Sequence, residues 1–254
     1  MLSVEKLCFR YGKHLPLVLN GVDLQLQPGE IGIVLGKNGS GKTTLFKTIL
    51  GIQKPLSGSV SFAGENMLKL SAKERAKRIA YVPQDIHFGA LTVFDSILMG
   101  RVAYFGMKEG PEDYHAVEII MEDMGLTEFA QRNVEALSGG ERQKIAIARA
   151  MAQEPRLMIF DEPTGNLDIA NEHLIIDEAK KLAKEKNISI LSSLHDMNQA
   201  MYFGDKFFFM KDGAVKYTCT KQDITEEIIN DIYGIKARIV EIDKQRIIIG
   251  GHDL

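Results

Sequence analysis

Short apolar runs separated by amphipathic segments form the basic pattern of this chain. Residues 31–35, 157–160 and 188–191 are apolar almost without interruption, which is typical of strands buried on both faces of a parallel sheet. Helical periodicity lies between these runs, in segments 44–50, 72–78, 114–124, 141–152 and 172–185. Strands that alternate with helices predict an α/β fold with a parallel sheet.

The first residues have a different pattern. Residues 2–9 and 22–26 alternate apolar and polar positions, and a turn at 10–13 follows the first of these segments. Alternation of this kind predicts half-buried strands, so we expect an N-terminal antiparallel β subdomain. The end of the chain returns to strand patterns on both sides of a predicted helix at 225–233.

The stretch from residue 85 to residue 150 breaks the alternation, because it has helices and loops without a strand pattern. We therefore predict a single domain over residues 1–254, in which 1–84 and 151–254 form the core and 85–150 form a helical subdomain. Methionines and aromatic residues recur in this insert at helical spacing. Two interpretations of them stay open: packing in a core, or an exposed surface for a partner.

Composition excludes several classes of protein. The 31 basic side chains nearly balance the 34 acidic ones, and a formal net charge of -3 gives no field that would hold a polyanion, so we expect no nucleic-acid partner. Two cysteines, Cys8 and Cys219, are too few for a disulfide framework and suit a reducing compartment. No run approaches the roughly 20 apolar residues of a membrane span, so we expect a cytoplasmic protein.

The phosphate-loop pattern is matched by GKNGSGKT at residues 36–43, between a predicted strand and a predicted helix, which is the context that the motif requires. Gly39 and Gly41 let the backbone fold around phosphates, so that N–H groups and the helix dipole face the anion. Lys42 would reach the β and γ phosphates, and Thr43 would supply a hydroxyl to Mg²⁺. The predicted nucleotide contacts here are Gly36, Asn38, Gly39, Ser40, Gly41, Lys42, Thr43 and Thr44.

Two adjacent carboxylates, Asp161 and Glu162, follow the apolar run at 157–160. The carboxyl ends of parallel strands are where α/β sheets bind ligands. In a protein with a phosphate loop, Asp161 would hold Mg²⁺ through water, and Glu162 would orient or deprotonate the attacking water.

A further motif, LSGGE at residues 137–141, precedes a helical pattern. Ser138 is positioned to cap that helix and Glu141 follows as in a capping box, while Gly139 and Gly140 leave backbone N–H groups bare for an anion. The motif resembles the signature sequence of the ATP-binding cassette (ABC) ATPases.

The resemblance covers nearly the whole chain and implies roles for further residues, which occur in the same order as in the family. Tyr11 would stack on adenine, Gln84 would contact Mg²⁺ and report the γ-phosphate, and His195 would hydrogen-bond the γ-phosphate. The segment 163–168 matches the D-loop, which places Asp168 at a dimer interface. The implied fold is a phosphate-loop core with a parallel sheet, an antiparallel β subdomain and a helical insert.

The resemblance also implies a head-to-tail pair of cassettes that hydrolyses ATP. ATP held by Lys42 and Thr43 of one copy would be closed over by Ser138 and Gly140 of the other. ATP and Mg²⁺ are the implied cofactors, and a second cassette subunit, as a homodimer, is an implied partner. Hydrolysis would remove the γ-phosphate that joins the two halves and let the dimer open.

Three classes of function stay open: the energising subunit of a separate membrane permease, a nucleic-acid or chromosome-associated cassette, and a standalone ATPase. The chain has one cassette with a short insert and lacks the long heptad arms of chromosome-type cassettes, which favours the first class. Since no segment spans a membrane, the permease would be another polypeptide. The protein would then be peripheral on the inner face of the cell membrane.

Residues 91–101 and 195–200 resemble the class of cassettes that serve iron-siderophore, haem and cobalamin uptake. Metal-ion importers, energy-coupling cassettes and a non-transport ATPase remain alternatives. Because the chain after Gln84 leads into the insert, residues 85–88 together with Phe94 and Met99 are expected to form part of a groove for a short permease helix.

Overall fold

The computed structural model describes residues 1–165, 167–243 and 245–251, which fold into two compact units. The first unit comprises residues 1–69 together with those from Ser189 onward, and the second comprises residues 70–188. The boundaries predicted for the helical subdomain, 85–150, do not coincide with this division and stay a prediction.

Twelve strands and eight α-helices occur in the described residues. The strands are β1 (Leu2–Phe9), β2 (Leu19–Leu26), β3 (Ile31–Leu35), β4 (Ser57–Phe62), β5 (Glu65–Asn66), β6 (Ile79–Val82), β7 (Leu157–Asp161), β8 (Ser189–Ser193), β9 (Lys206–Lys211), β10 (Ala214–Thr220), β11 (Lys236–Ile242) and β12 (Gln245–Gly251). The helices are α1 (Lys42–Ile49), α2 (Ala72–Ala76), α3 (Val93–Leu98), α4 (Pro111–Asp123), α5 (Gly139–Met151), α6 (Ile169–Glu185), α7 (Met197–Phe203) and α8 (Glu226–Tyr233). Short 3-10 helices lie at Met67–Lys69, Met99–Ala103, Thr127–Phe129 and Val134–Ala136.

The N-terminal strands of the first unit form an antiparallel sheet in the order β2-β1-β4-β5. Along β1, the regular alternation of buried and exposed side chains is interrupted where the register with β2 shifts between Val4 and Leu7. Both residues are still buried, because the shift returns Leu7 to the apolar face. The predicted antiparallel β subdomain is confirmed.

The parallel strands of the first unit surround β3, all five residues of which are buried. β3 pairs in parallel with β8 and β9, and β10 adds to β9 in the antiparallel direction. Phe46 of α1 and the run Phe207–Phe209 of β9 are fully buried. The strand predicted at 188–191 lies slightly later, at Ser189–Ser193, because its last two serines are buried in the strand although they are polar.

The second unit contains one parallel strand pair and five α-helices. β6 runs beside β7 from Ile79, opposite Leu157, to Val82, opposite Phe160, and every residue of β7 is buried. Within the described chain, the predicted insert at 85–150 contains helices and an isolated bridge between Thr92 and Asn133 but no strand, as expected.

Methionine and aromatic residues of the insert are divided between core and surface. Phe88, Met121 and Met124 are buried, whereas Met99 and Met107 are exposed. The core interpretation holds for the first group and the surface interpretation for the second. No helix in the described ranges is both long and apolar enough to cross a membrane.

Candidate functional site

The phosphate loop connects β3 to α1 in the first unit. Gly41 caps α1 with a φ of 105°, in the left-handed region, and a Cβ on it would lie 2.9 Å from the Val18 carbonyl oxygen. A residue with a side chain would therefore be strained in backbone conformation and in space. The glycine lets the chain turn into α1 so that the first N–H groups of the helix face the loop.

The side chain of Lys42 lies across this loop. Its Nζ donates hydrogen bonds to the carbonyl oxygens of Gly36 at 2.9 Å and Lys37 at 3.4 Å, and the residue is only 7% exposed. These acceptors are neutral, so a phosphate oxygen offers the ammonium group a stronger, charge-assisted hydrogen bond. The arrangement holds the lysine side chain within the loop.

A second polar group in the loop fits an anion. The Oγ of Ser40 is buried and has no hydrogen-bond partner in the described part of the chain. A buried hydroxyl without a partner costs free energy, and a phosphate oxygen in the loop would accept its hydrogen bond. Thr43 is half-buried and Thr44 is buried, while Asn38 and Gly39 are exposed at the outer edge of the loop.

Tyr11 is joined to the helix that follows the phosphate loop. Its Oη lies 3.1 Å from the Oγ1 of Thr44, and its ring meets the ring of Phe9 edge-on with centroids 5.0 Å apart. The residue is nevertheless 58% exposed. An aromatic ring that is fixed at its edge and at its hydroxyl, with much of its surface exposed, can stack on a base.

His195 lies at the same edge of the sheet as the phosphate loop. β3 and β8 are parallel with Val34 opposite Ser193, so both strands end at that edge. His195 follows Ser193 by two residues and is exposed, and Asp196 caps α7 by accepting a hydrogen bond from the Gln199 N–H at 2.7 Å.

Asp161 ends β7 in the second unit and is only 2% exposed. The hydroxyl of Tyr81 donates a hydrogen bond to its Oδ2 at 3.3 Å. Burial raises the pKa of Tyr81, and the Asp161 carboxylate raises it further, so the phenol stays protonated and acts as a donor. Gln84 follows β6 at the same strand edge, because β6 and β7 are parallel, and its side chain is exposed.

Glu162 is the first residue beyond β7 and has an unusual backbone conformation. Its φ is 52°, in the left-handed region, which few residues with a side chain adopt. The Gly165 N–H donates to the Glu162 carbonyl oxygen at 3.0 Å and closes the turn. The strand therefore ends at Asp161, and Glu162 begins the turn that follows it.

The capping box predicted at the start of α5 is confirmed. The Oε2 of Glu141 accepts hydrogen bonds from the Ser138 N–H at 2.8 Å and the Ser138 hydroxyl at 2.6 Å, and the Glu141 N–H donates back to the Ser138 Oγ at 3.3 Å. The Ser138 hydroxyl, and after it the Ser138 N–H, hold the pKa of Glu141 below its usual range. Ser138 and Gly139 are exposed, so this helix start faces outward.

Asn171 joins the segment after β7 to the start of α5. Asp168 caps α6 by accepting hydrogen bonds from the Asn171 N–H at 2.9 Å and the Asn171 Nδ2 at 3.0 Å. The Asn171 side chain covers Gly140 so closely that a Cβ on that glycine would overlap with it. The second glycine of the motif is therefore required for packing. Asn166, within the predicted D-loop, lies outside the described residues.

Residues 19–165 match the family model described as ABC transporter. The chain belongs to this family. It is 34% identical to the iron(3+)-hydroxamate import ATP-binding protein FhuC of Bacillus subtilis, over 94% of this chain and 90% of that protein. Among solved structures, it is similar to a metal-chelate type ABC transporter in an inward-facing conformation, with a TM-score of 0.85 and 29% identity over 99% of this chain and 98% of the other.

A dimeric ATP-binding cassette in a post-hydrolysis state, bound to ADP and Pi, is also similar in structure. The TM-score is 0.76 and the identity is 28%, over 88% of this chain and 100% of the other. These comparisons confirm the ABC ATPase fold and the resemblance drawn from the motifs. The protein is an ATP-binding ABC ATPase that catalyses the hydrolysis of ATP.

The structure of this ABC ATPase groups the predicted site residues within each unit. The phosphate loop, Tyr11 and His195 lie in the first unit, and the remaining motifs lie in the second. The sequence did not predict two residues of the site. Tyr81 donates a hydrogen bond to Asp161, and the side chain of Asn171 packs on Gly140. No motif marks Tyr81, whereas Asn171 lies three residues after Asp168 and just before the helix predicted at 172–185, where an aspartate commonly caps a helix through such an N–H.

Proposed function

We propose that this ABC ATPase energises a separate membrane permease for the uptake of an iron chelate, and that it does so as a homodimer. The support for the substrate class is the similarity to FhuC, an iron(3+)-hydroxamate import protein, and to a metal-chelate type transporter. The proposal that the protein uses ATP rests on the position of Lys42. Its side chain is buried in the phosphate loop and donates hydrogen bonds to two carbonyl oxygens.

In the proposed site, the phosphate loop binds the nucleotide. Lys42 exchanges its carbonyl partners for β- and γ-phosphate oxygens, the hydroxyl of Ser40 donates to a phosphate oxygen, and the loop N–H groups complete the contacts. Tyr11 stacks on the adenine. The other proposed nucleotide contacts from this loop are Gly36, Asn38, Gly39, Gly41, Thr43 and Thr44.

Three oxygen-bearing side chains are the proposed Mg²⁺ ligands: the hydroxyl of Thr43, the amide of Gln84 and, through water, the carboxylate of Asp161. Their chemistry fits, because Mg²⁺ prefers oxygen ligands and takes several of them from phosphates and water. A bound Mg²⁺ would supply positive charge that offsets the negative charge developing during phosphoryl transfer. The Tyr81 hydroxyl would keep the Asp161 carboxylate oriented.

Hydrolysis needs a base and a group that recognises the γ-phosphate. Glu162 is the proposed base, since it is the first residue beyond the buried strand β7 and lies next to Asp161, the proposed Mg²⁺ ligand. His195 is proposed to donate a hydrogen bond to the γ-phosphate. Both assignments come from the resemblance, and the exposed His195 is compatible with a ligand contact.

The second half of each site is proposed to come from the other copy. The start of α5 exposes Ser138 and Gly139, and the buried Gly140 is proposed to contribute its backbone N–H, so that the helix start binds an anion. Asp168 caps α6 and binds Asn171, whose side chain packs on Gly140 at the start of α5. Asp168 is proposed to lie in the dimer interface. The dimeric cassette with ADP and Pi, which is similar in structure, supports this proposal.

The groove expected to take a permease helix has a smaller apolar surface than the sequence indicated. The expectation that Phe88 faces a partner is wrong, because it is 4% exposed and the Arg149 guanidinium lies 5.0 Å from its ring centroid. Phe94 is half-buried and stacks on Tyr114, with centroids 6.0 Å apart. Met99, which is 52% exposed, keeps the predicted accessibility and remains a proposed contact.

An uptake experiment tests the importer function. The gene is deleted in the source organism, and uptake of a radiolabelled ferric hydroxamate is compared with uptake of haem, cobalamin and a phosphonate. The proposal predicts loss of ferric-chelate uptake, restored by the wild-type gene and not by the Glu162→Gln variant. Normal ferric-chelate uptake, or loss of another substrate in its place, would contradict the proposed substrate class.

A further inference from the structure

The guanidinium group of Arg101 is buried beside the end of α5. Arg101 lies in the 3-10 helix Met99–Ala103 and is only 5% exposed. Its Nη1 donates hydrogen bonds to the Ala152 carbonyl oxygen at 3.0 Å and to the Glu154 Oε1 at 2.6 Å. Its Nε donates to the Asp113 Oδ1 at 3.1 Å. One buried side chain therefore joins the 3-10 helix to the end of α5 and to the first turn of α4.

The charge of Arg101 is balanced within the same network. Asp113 is 3% exposed, and its Oδ2 accepts a hydrogen bond from the Gly110 N–H at 3.0 Å. The guanidinium also lies over the ring of Tyr104, 3.9 Å from the centroid, and the Tyr104 hydroxyl donates to the Gln153 carbonyl oxygen at 2.9 Å. Because a buried ion pair loses much of its Coulomb energy to desolvation, stability alone does not account for this network.

Close packing adds to the connection between the 3-10 helix and α5. Gly100 is buried, and a Cβ on it would lie 2.8 Å from the Ala152 Cβ and would overlap with the Arg149 carbonyl oxygen. The backbone of the 3-10 helix thus packs directly on the last turn of α5. Two apolar side chains of the same segment, Met99 at 52% and Val102 at 47%, are nevertheless exposed. Their position is therefore fixed relative to the end of α5.

The opposite end of α5 carries the motif that is proposed to close over ATP. The helix has 13 residues, from Gly139 to Met151, and Ser138 caps its start. At 1.5 Å per residue its two ends are roughly 20 Å apart. A helix is a rigid element that can transmit a displacement from one end to the other. The 3-10 helix follows α5 only as closely as the contacts of Arg101 hold it there.

We propose that Arg101 is a positioning residue for coupling, which keeps the exposed Met99 fixed to α5 so that movement of the motif at Ser138 reaches the permease. The inference rests on the proposed function, in which Met99 contacts the permease and Ser138 contacts ATP. Arg101 itself would contact neither partner. It acts through its hydrogen bonds to Ala152 and Glu154, so weakening them should uncouple uptake from ATP hydrolysis without impairing hydrolysis by the purified protein.

Two variants weaken this connection in different ways. Arg101→Lys keeps the positive charge, but a single ammonium group does not reproduce the fork that binds Asp113 and the end of α5 together. Glu154→Asn removes a carboxylate whose side chain is 60% exposed, so no buried charge is left unpaired. Asparagine also tolerates the left-handed φ of 51° at this position.

The matched control is Ile176→Ala in α6. Ile176 is 1% exposed and belongs to the same compact unit, but it lies outside the network. Its truncation leaves a cavity and should lower the melting temperature. For each purified protein, the melting temperature, kcat and KM for ATP and the hydrogen exchange of residues 99–105 are measured. Uptake of radiolabelled ferric hydroxamate in the deletion strain is divided by the amount of protein found by immunoblot.

The proposal predicts that Arg101→Lys lowers this normalised uptake about fivefold or more, the low end of the coupling between two sites. Glu154→Asn should lower it about two- to fivefold, as expected for a partly exposed ion pair. Hydrogen exchange of residues 99–105 should be faster in both variants. Their kcat and KM should stay within about twofold of the wild type, since the residues of the ATP site are unchanged. Ile176→Ala should keep normal uptake per protein.

Two results would overturn the positioning role alone. One is a loss of normalised uptake in Ile176→Ala as large as in Arg101→Lys, because the loss would then follow stability. The other is normal uptake by Glu154→Asn and by any folded Arg101→Lys protein, while Met99→Glu abolishes uptake. If deletion of the gene leaves ferric-chelate uptake unchanged, the proposed function itself fails, and the positioning role fails with it.

Discussion

The hydroxyl of Tyr11 lies 3.1 Å from the hydroxyl of Thr44, so the first turn of the chain is attached to the helix that begins at the phosphate loop. The two residues belong to different secondary structures: Tyr11 follows β1, and Thr44 lies in the first turn of α1. Because this contact fixes one end of the tyrosine, the ring is held at a defined place beside the loop while 58% of the residue stays exposed.

Replacing Tyr11 separates the role of its ring from that of its hydroxyl. Tyr11→Ala is expected to weaken ATP binding about tenfold, since stacking of an aromatic ring on a base is worth about 1–3 kcal/mol. Tyr11→Phe keeps the ring and should lose much less affinity. Titration calorimetry with ATP measures both effects.

Inorganic tripolyphosphate provides the control for the stacking role. It has the phosphates and lacks the base, so Tyr11→Ala should bind it as the wild type does. A parallel loss of tripolyphosphate affinity would show that the tyrosine supports the loop and does not bind adenine.

The capping box at the start of α5 predicts a pH dependence of stability. The pKa of Glu141 is lowered in the folded protein, so the ionised carboxylate stabilises the folded state above about pH 4.5, its ordinary pKa, and this contribution is lost as the pH falls through the lowered value. Glu141→Gln is therefore expected to lose about 1 kcal/mol or less at pH 7.

Melting temperatures measured from pH 7 to pH 3 check this sign. The difference between wild type and Glu141→Gln should shrink toward the acid end of the range. Glu128→Gln, which alters an exposed carboxyl outside the capping box, should match the wild type throughout. A difference for Glu141→Gln that grows on acidification would contradict the assignment.

Replacing two apolar residues of the helical insert by glutamate is expected to change the stability of the protein to very different extents. Phe88→Glu places a carboxylate in a buried site and should cost more than about 3 kcal/mol of stability. Met99→Glu alters an exposed side chain and should change stability by no more than about 0.5 kcal/mol.

Thermal melting and complementation of uptake separate structure from coupling. Met99→Glu should fold, bind ATP and fail to restore uptake in the deletion strain, because its position is proposed to contact the permease. Full restoration of uptake by Met99→Glu would remove it from the proposed contact surface.

Buried strands and helix caps were the features of the fold that the sequence predicted best. β3 lies at residues 31–35 as expected, because a strand buried on both faces has no polar positions to obscure it. The cap at Ser138 was predictable because it depends on a local pattern of a few residues. The end of β8 was harder to predict from the sequence, because Ser193 is a buried polar residue and the apolar pattern stops before it.

Contacts between distant segments were beyond the reach of the sequence pattern. The hydrogen bond between Tyr11 and Thr44, and that between Tyr81 and Asp161, depend on tertiary packing and have no local signature. Phe88 was misjudged for the same reason. The residue lies between exposed neighbours in the sequence, but the Arg149 side chain of α5 lies over its ring.

The measurement that tests the central claim most directly is the mass of the Glu162→Gln variant in solution with nucleotide. The amide keeps the shape of the side chain and removes the proposed base, so ATP should bind and persist. With Mg²⁺ and ATP, light scattering after size-exclusion chromatography should show twice the 28.3 kDa mass of the chain. With ADP, or when Lys42→Ala is added, it should show the single chain. A single-chain mass under conditions where ATP binding is measured would contradict the account of two cassettes closed over ATP.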